Sequence, residues 1–328
     1  MAPIFVTGGA GYVGSHTCKQ LSRAGHEVAV YDDLSRGHRA FAKWGQLFEG
    51  RLQEHETLLE ALRKFAPQAV MHFAAFAYVG ESIKDPHLYY ANNVGGTLSL
   101  LSAMREAGID KLIFSSSCAT YGEPDRVPIT EDTPQRPMNP YGASKMMSER
   151  ICEDFEKAHG IKHVVLRYFN ACGADQDGEV GERHDPEPHL IPRALMAADR
   201  RIEAFEIYGD NYHTPDGTCV RDFVHVDDLA GAHIAAAEYL TKGGVSGAFN
   251  LGSGEGHSVR DVVRTVEEVT GKRVPQRLVP RREGDPAVLV ADISKARRVL
   301  KWEPQASDLA TIVGTAWRWY RKERSGNN

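Results

Sequence analysis

PIFVTGGAGYVG, residues 3–14, is the stretch whose reading decides the fold. PIFVT is a short apolar run, the pattern of a buried strand. Gly8, Gly9, Gly11 and Gly14 follow at once, and a helical pattern continues through Leu21 to about Gly25. EVAVYD then reads as a second strand ending on Asp32. Strand, glycine turn, helix, strand and acid together make a dinucleotide-binding unit. The glycines allow a tight turn and let a diphosphate approach the backbone. Amides at the helix start favour the phosphates, and the Asp32 carboxylate accepts from ribose hydroxyls. A glycine motif alone is weak; the strand before it and the acid after it give it weight. Asp32 and Asp33 would repel a ribose phosphate and only Arg36 would attract one, so the expected cofactor is NAD.

The same rhythm continues outward. FEG closes a third strand at Gly50, a helix spans about 54–65, and AVMHFAA, residues 69–75, is a fourth strand. His72 within it reads as a hydrogen-bonded core residue. Ala74 and Ala75 are small enough for a cofactor to lie close. A loop over 76–86 leaves the C-terminal end of that strand, where α/β sheets bind ligands. A helical pattern covers about 88–107, and Asn92 and Asn93 are poor residues for its interior, so one of them is expected to face the cofactor. KLIFSSS (111–117) and HVVLRYFN (163–170) are further strands. The expected fold is α/β: a Rossmann-type, doubly wound parallel sheet with a smaller C-terminal α/β substrate lobe. Residues 1–171 form the cofactor domain, a segment of about 222–250 returns to it, and 172–328 mainly build the substrate lobe.

The chemistry concentrates between Ser115 and Lys145. Ser115 and Ser117 stand at the end of a strand, beside the expected nicotinamide. NPYGASK places Pro140 at a helix start and Tyr141 and Lys145 four residues apart, on one face. A tyrosine hydroxyl, with a pKa of about 10, is a poor base, and a neighbouring ammonium is expected to lower it. Ser117 can bond the same substrate oxygen. Tyr-x-x-x-Lys occurs by chance, and gains force here from the cofactor unit before it.

Composition narrows the class. Among 328 residues, 25% are charged and the formal net charge is -5 without a basic block, which argues against a nucleic-acid partner. No apolar run is long enough to span a bilayer, and the N-terminus lacks the pattern of a signal peptide. The five cysteines are scattered and without a CxxC pair, so free thiols in a reducing cytoplasm and no metal site are expected.

After Ala171 the alternation breaks into a polar, glycine- and proline-rich loop leading to a helix from about His189 to Asp199. A strand over 204–208, the run FVHVDDLAGAH with Asp227 or Asp228 as helix cap, a strand and turn over 248–254, and helices near 258–270 and 307–321 follow. Arg281 and Arg282 are a candidate phosphate clamp and Asp285 a candidate partner of sugar hydroxyls. Of Trp317 and Trp319, two residues apart, one is expected to pack inward.

GGAGYVG, Asp32, SSSCATYG, YGASK, YFNACGAD, DGTCVRDFVHVDDLAGAH and RREGD, in this order, resemble the UDP-glucose 4-epimerases, which are extended short-chain dehydrogenase/reductases. The likeness covers about residues 3–320. It implies NAD-dependent inversion at C4 of UDP-glucose and UDP-galactose through a 4-keto sugar, with Tyr141 as base, Lys145 on the nicotinamide ribose and Ser117 assisting. The implied cofactor contacts are Gly8, Gly11, Tyr12, Val13 and Gly14 at the turn, and Asp32, Asp33, Leu34 and Arg36 after the second strand. Leu52, Phe73, Ala74, Ala75 and Asn92 belong to the next loops, and Ser115, Tyr141, Lys145 and Tyr168 to the nicotinamide end. The implied substrate contacts are Ser117, Tyr141, Asn170, His189, Leu190, Tyr208, Arg221, Arg282, Asp285 and Leu289. Tightly retained NAD and a homodimer through helices near 88–107 and 141–158 are also implied.

The chain departs from the family at Arg51, where an acid usually meets the adenine; at Ala77, usually a phosphate-facing lysine, so that Arg36 or the second-lobe arginines must supply that charge; and at His189, often asparagine. Tyr78 and Leu289 are the expected reporters of the sugar. They leave a UDP-xylose/UDP-arabinose 4-epimerase as the nearest alternative, before a nucleotide-sugar dehydrogenase, reductase or dehydratase. The strand end Ser117-Cys118-Ala119 lacks the acid a dehydratase needs. A non-enzymatic NAD-binding regulator comes last.

Overall fold

The computed structural model describes residues 2–282 and 284–325; Glu283 of the RREGD motif lies outside them. Seven strands form one parallel sheet: β1 (Ile4–Thr7), β2 (Val28–Asp32), β3 (Gln46–Glu49), β4 (Ala69–His72), β5 (Lys111–Ser117), β6 (Lys162–Tyr168) and β7 (Gly247–Leu251). Their order is β7-β6-β5-β4-β1-β2-β3. IFVT, VAVYD and AVMH are buried at every residue, as strands covered on both faces must be. The order reverses between β1 and β4, and the crevice at that reversal, beyond the strand ends, is where such sheets bind ligands. This is the expected Rossmann-type α/β architecture.

One face is filled by Cys18, Leu21, Val30, Met71 and Leu166 together with Leu229, Ala232 and Ala236 of helix Val226–Thr241. The other packs Phe5, Tyr31, Leu58, Leu62, Leu100 and Met104. Helix Val226–Thr241 packs on that face, and β7 pairs in parallel with β6 at the edge of the sheet. A separate core joins helices Leu190–Ala198, Val259–Thr270 and Leu309–Ser325 through Ile191, Leu195, Val262, Val266, Ile312 and Val313. Strand Phe205–Tyr208 pairs in parallel with Gln276–Val279 beside it.

Several local expectations change. Residues 76–86 are not a bare loop, because Val79–Lys84 is helical. The helix expected from 88 to 107 is three pieces: Pro86–Tyr89, a π-turn over Tyr90–Val94, and Gly95–Ala107. Asn93 explains the interruption. Its side chain accepts from the Phe76 amide at 2.9 Å and donates to the Phe76 carbonyl at 3.0 Å and to Ser144 Oγ at 3.0 Å. An asparagine in a helix is here the anchor of the loop after β4. Neither Asp227 nor Asp228 caps its helix. His225 does, with Nδ1 accepting from the Asp227 amide. Asp227 bonds the His16 ring instead, and Asp228 accepts from the Gln305 and Ala306 amides. The last helix starts at Leu309, and helix Ser294–Leu300 was not foreseen. Of Trp317 and Trp319, Trp319 is the buried one. All five cysteines are free.

Candidate active site

The glycine turn is built by close backbone contact. Gly8 has φ +73°, and a Cβ there would lie 2.5 Å from the Ala74 amide nitrogen. A Cβ on Gly14 would lie 2.2 Å from the Gly8 carbonyl oxygen. No side chain caps helix Tyr12–Arg23, so its first-turn amides face the crevice, as anion binding at a helix start requires. Asp32 is buried and braces the turn, accepting from the Ala10 amide at 3.0 Å and the Leu34 amide at 2.9 Å. Burial raises its pKa while those two amides pull the other way.

From this turn a cavity of about 510 Å³ runs past Ala74, Ala75, Asn92, Ser117 and Tyr141 to Asn170, His189, Leu190, Asp285 and Leu289. Gly8, Gly11, Tyr12, Val13, Gly14, Asp32, Asp33, Arg36, Leu52, Phe73 and Tyr168 line it too. Leu34, Ser115, Lys145, Tyr208, Arg221 and Arg282 do not appear on its wall. Ser115 and Lys145 are both buried. Lys145 Nζ donates to the Ser115 carbonyl at 2.8 Å, and Ser115 Oγ bonds the Tyr168 hydroxyl at 2.6 Å. His72 is the core residue expected: its ring bonds Thr7 Oγ1 at 2.7 Å and Thr97 Oγ1 at 3.2 Å, and burial, helped by the Lys145 charge, lowers its pKa to about 3.

One electrostatic expectation is corrected. Burial raises the Tyr141 pKa above its ordinary value, Tyr168 adds to this, and the Ser117 hydroxyl opposes it. The Lys145 ammonium does not pull it down, because it is turned to the Ser115 carbonyl and is itself pushed by burial to about 8. Burial disfavours both charged forms at once.

Two departures from the family have structural answers. Arg36 pairs with Glu81 at 2.6 Å and lies over the rings of Phe76 and Tyr78. This cation therefore stands beside Ala77, bound to the same loop, and its charge is already matched. Arg51 is exposed, with Nε 3.9 Å from Asp33.

Away from the glycine turn, the site is held by side-chain pairs. Arg221 bonds Asp285 and the Val220 carbonyl. Arg282 stacks on Tyr208, 3.8 Å from the ring centre, and lines a second, shallower cleft with Tyr212, Arg281 and Asp285. Asn170 donates to the Asp222 carbonyl at 2.7 Å. His189 lies 2.6 Å from Glu182 and 3.1 Å from Glu187. Burial disfavours its charge, but the two carboxylates outweigh that and raise its pKa to about 10. Glu182 and His184 line the cavity and were not singled out from the sequence. The spacing E-x-H-x-x-E-x-H over 182–189 was the available signal.

The family described as NAD dependent epimerase/dehydratase matches residues 4–252. A protein of Rhizobium meliloti (strain 1021), named UDP-glucose 4-epimerase, is 51% identical over 98% of this chain and 98% of its own length. One of Rhizobium leguminosarum bv. trifolii with the same name is 50% identical over 97% of each. The solved structure of UDP-glucose 4-epimerase from Brucella ovis in complex with NAD is 52% identical and superposes with a TM-score of 0.95, covering 97% of this chain and 98% of that one.

Proposed function

This chain belongs to the NAD dependent epimerase/dehydratase family and, within it, to the UDP-glucose 4-epimerases, and we propose the following account of how its residues interconvert UDP-glucose and UDP-galactose. Residues 1–171, joined by about 222–250, hold the cofactor, and the remainder of 172–328 holds the nucleotide sugar. The amides of Tyr12 and Val13 take the cofactor diphosphate, Asp32 the adenosine ribose, and Lys145 the nicotinamide ribose. NAD, when bound, supplies a hydride acceptor whose cationic ring also favours a Tyr141 phenolate. Tyr141 removes the proton from the sugar 4-hydroxyl while Ser117 bonds that oxygen, and Tyr141 returns the same proton after the sugar has turned over. Arg221 and Arg282 keep the diphosphate tethered through the 4-keto stage.

The observation that carries this reading is the placement of Ser117 and Tyr141 on one wall of a single cavity that begins at the glycine turn and ends at Asp285. Cofactor retention tests it. An epimerase returns the hydride it takes, so the purified protein should carry NAD(H) and turn over without added acceptor. Net oxidation of the sugar with exchange of cofactor would instead mark a dehydrogenase.

The sugar preference rests on Leu289. Tyr78, the other expected reporter, is engaged by Arg36 and by the rings of His184 and His189 at 5.5 and 6.0 Å, which supports a packing role. Leucine is bulky enough to disfavour an N-acetyl group at C2. A pocket difference of one methylene discriminates by only about 1–3 kcal/mol. UDP-galactose should therefore lead, UDP-xylose follow, and UDP-N-acetylgalactosamine trail in kcat/KM measured side by side. A hundredfold lead for UDP-xylose would reverse the assignment. The chain acts as a homodimer: Leu98 and Met147, on the two helices expected to pair, are exposed apolar side chains. Light scattering at micromolar concentration should give twice the chain mass, and a monomer would refute the pairing. Among the described residues no helix is long and apolar enough to cross a membrane.

A further inference from the structure

Two acidic clusters lie in the long segment between β6 and helix Leu190–Ala198, and they differ in what neutralises them. Asp175, Asp177 and Glu179 surround the Lys19 ammonium at 2.6, 3.0 and 2.6 Å. That cluster already holds its cation. Glu182 and Glu187 have no lysine or arginine among the described residues within ion-pair distance, and face two imidazoles instead. Glu182 Oε1 is 3.2 Å from His184 Nδ1 and 2.6 Å from His189 Nδ1. Glu187 is 3.6 Å from His184 Nδ1 and 3.1 Å from His189 Nδ1. One donor atom from each of the four lies within 4.8 Å of the others. His184 Nδ1 is buried without a hydrogen-bond partner.

We propose that Glu182, His184, Glu187 and His189 form a binding site for a divalent transition-metal ion of the zinc type. Bonds of about 2.0 Å in a tetrahedron separate ligand atoms by about 3.3 Å, which is the scale of the observed donor spacings. Two imidazoles with two carboxylates suit zinc and its neighbours, whereas magnesium and calcium prefer oxygen alone. Two carboxylates also balance the charge of such an ion. The site is pre-formed. Trp319 Nε1 donates to the Glu182 carbonyl at 2.9 Å, and a Cβ on Gly181 would lie 2.4 Å from the Trp319 ring, so this backbone is fixed from below. Glu187 is held by the His189 amide at 2.9 Å. A metal on His189 Nδ1 would leave the proton on Nε2 and fix the ring as a donor beside the cavity that His189 lines.

The test uses the NAD-bound protein, washed with chelator and then freed of it, and does not depend on turnover. Titration with Zn²⁺ alone should show one saturable site per chain, and Co²⁺ alone should give the visible bands of a tetrahedral ion that Zn²⁺ then bleaches. His184→Gln with Glu187→Gln should weaken binding by at least about tenfold, while Glu179→Gln leaves it unchanged. His184→Gln alone carries the same test should the paired substitution disturb folding, judged by circular dichroism. No saturable binding, parental affinity in the His184 variants, or loss of binding in Glu179→Gln would each overturn the assignment.

Discussion

The two ends of the cavity are held by different forces. At the cofactor end, the fixed groups are main-chain atoms: the Gly8 carbonyl under Gly11, the amides of Ala10 and Leu34 on Asp32, and the Ser115 carbonyl on Lys145. At the substrate end, charged side chains hold one another: Arg221 and Asp285 come from distant segments, and His189 pairs with Glu182 and Glu187 within one loop. Main-chain contacts set by a tight turn have no alternative partner. Paired side chains do, and they can exchange one anion for another. On the proposed function, the cofactor end is therefore a fixed seat, and the substrate end is a set of charges able to re-pair when a diphosphate arrives.

The largest effect expected belongs to the fixed seat. Tyr141→Phe should lower kcat by roughly 10²–10⁴-fold, with NAD retention and UDP binding unchanged. Turnover within tenfold of the parent would show that another group acts as base. Next comes the exchangeable end. Arg221→Ala removes a charge-assisted bond of about 1.5–3 kcal/mol and should appear mainly in KM for the nucleotide sugar. An equal fall in kcat with unchanged KM would mean that Arg221 acts only at the transition state. Gly14→Ala forces a Cβ against the Gly8 carbonyl, and overpacking of this kind costs about 1–3 kcal/mol. Denaturant titration should show that loss together with lost NAD, whereas a stable, NAD-loaded variant would show that the turn can shift.

The smallest effect separates the two ends by the sign of their pH dependence. Burial lowers Lys145 to about 8 from its ordinary 10.5. The unfolded chain then binds more protons in that window, so the stability of the wild type relative to Lys145→Met should rise between pH 8 and 10.5. His189 is raised from 6.5 to about 10, against its burial, by Glu182 and Glu187. In the chelator-treated protein its contribution is complete below 6.5, so stability relative to His189→Gln should fall as the pH rises through that range. Equal slopes in urea melts across both windows would erase the difference between the two ends.

PIFVTGGAGYVG, EVAVYD, KLIFSSS and NPYGASK determined by themselves three strands of the sheet, the glycine turn and the helix that carries Tyr141 and Lys145. Apolar runs, glycine spacing and a four-residue helical step each act within a few turns of chain, so their geometry follows locally. The fold alone decided what crosses the chain. It set the Lys145 ammonium on the Ser115 carbonyl instead of beside Tyr141, made Asn93 the anchor of Phe76, and gave the helix cap to His225 in place of either aspartate. It also brought Arg221 to Asp285, 64 residues away, and closed Arg36 onto Glu81, 45 residues away. Burial and long-range pairing decide such contacts, because a charge or amide taken out of water bonds whichever partner the packed chain puts within reach.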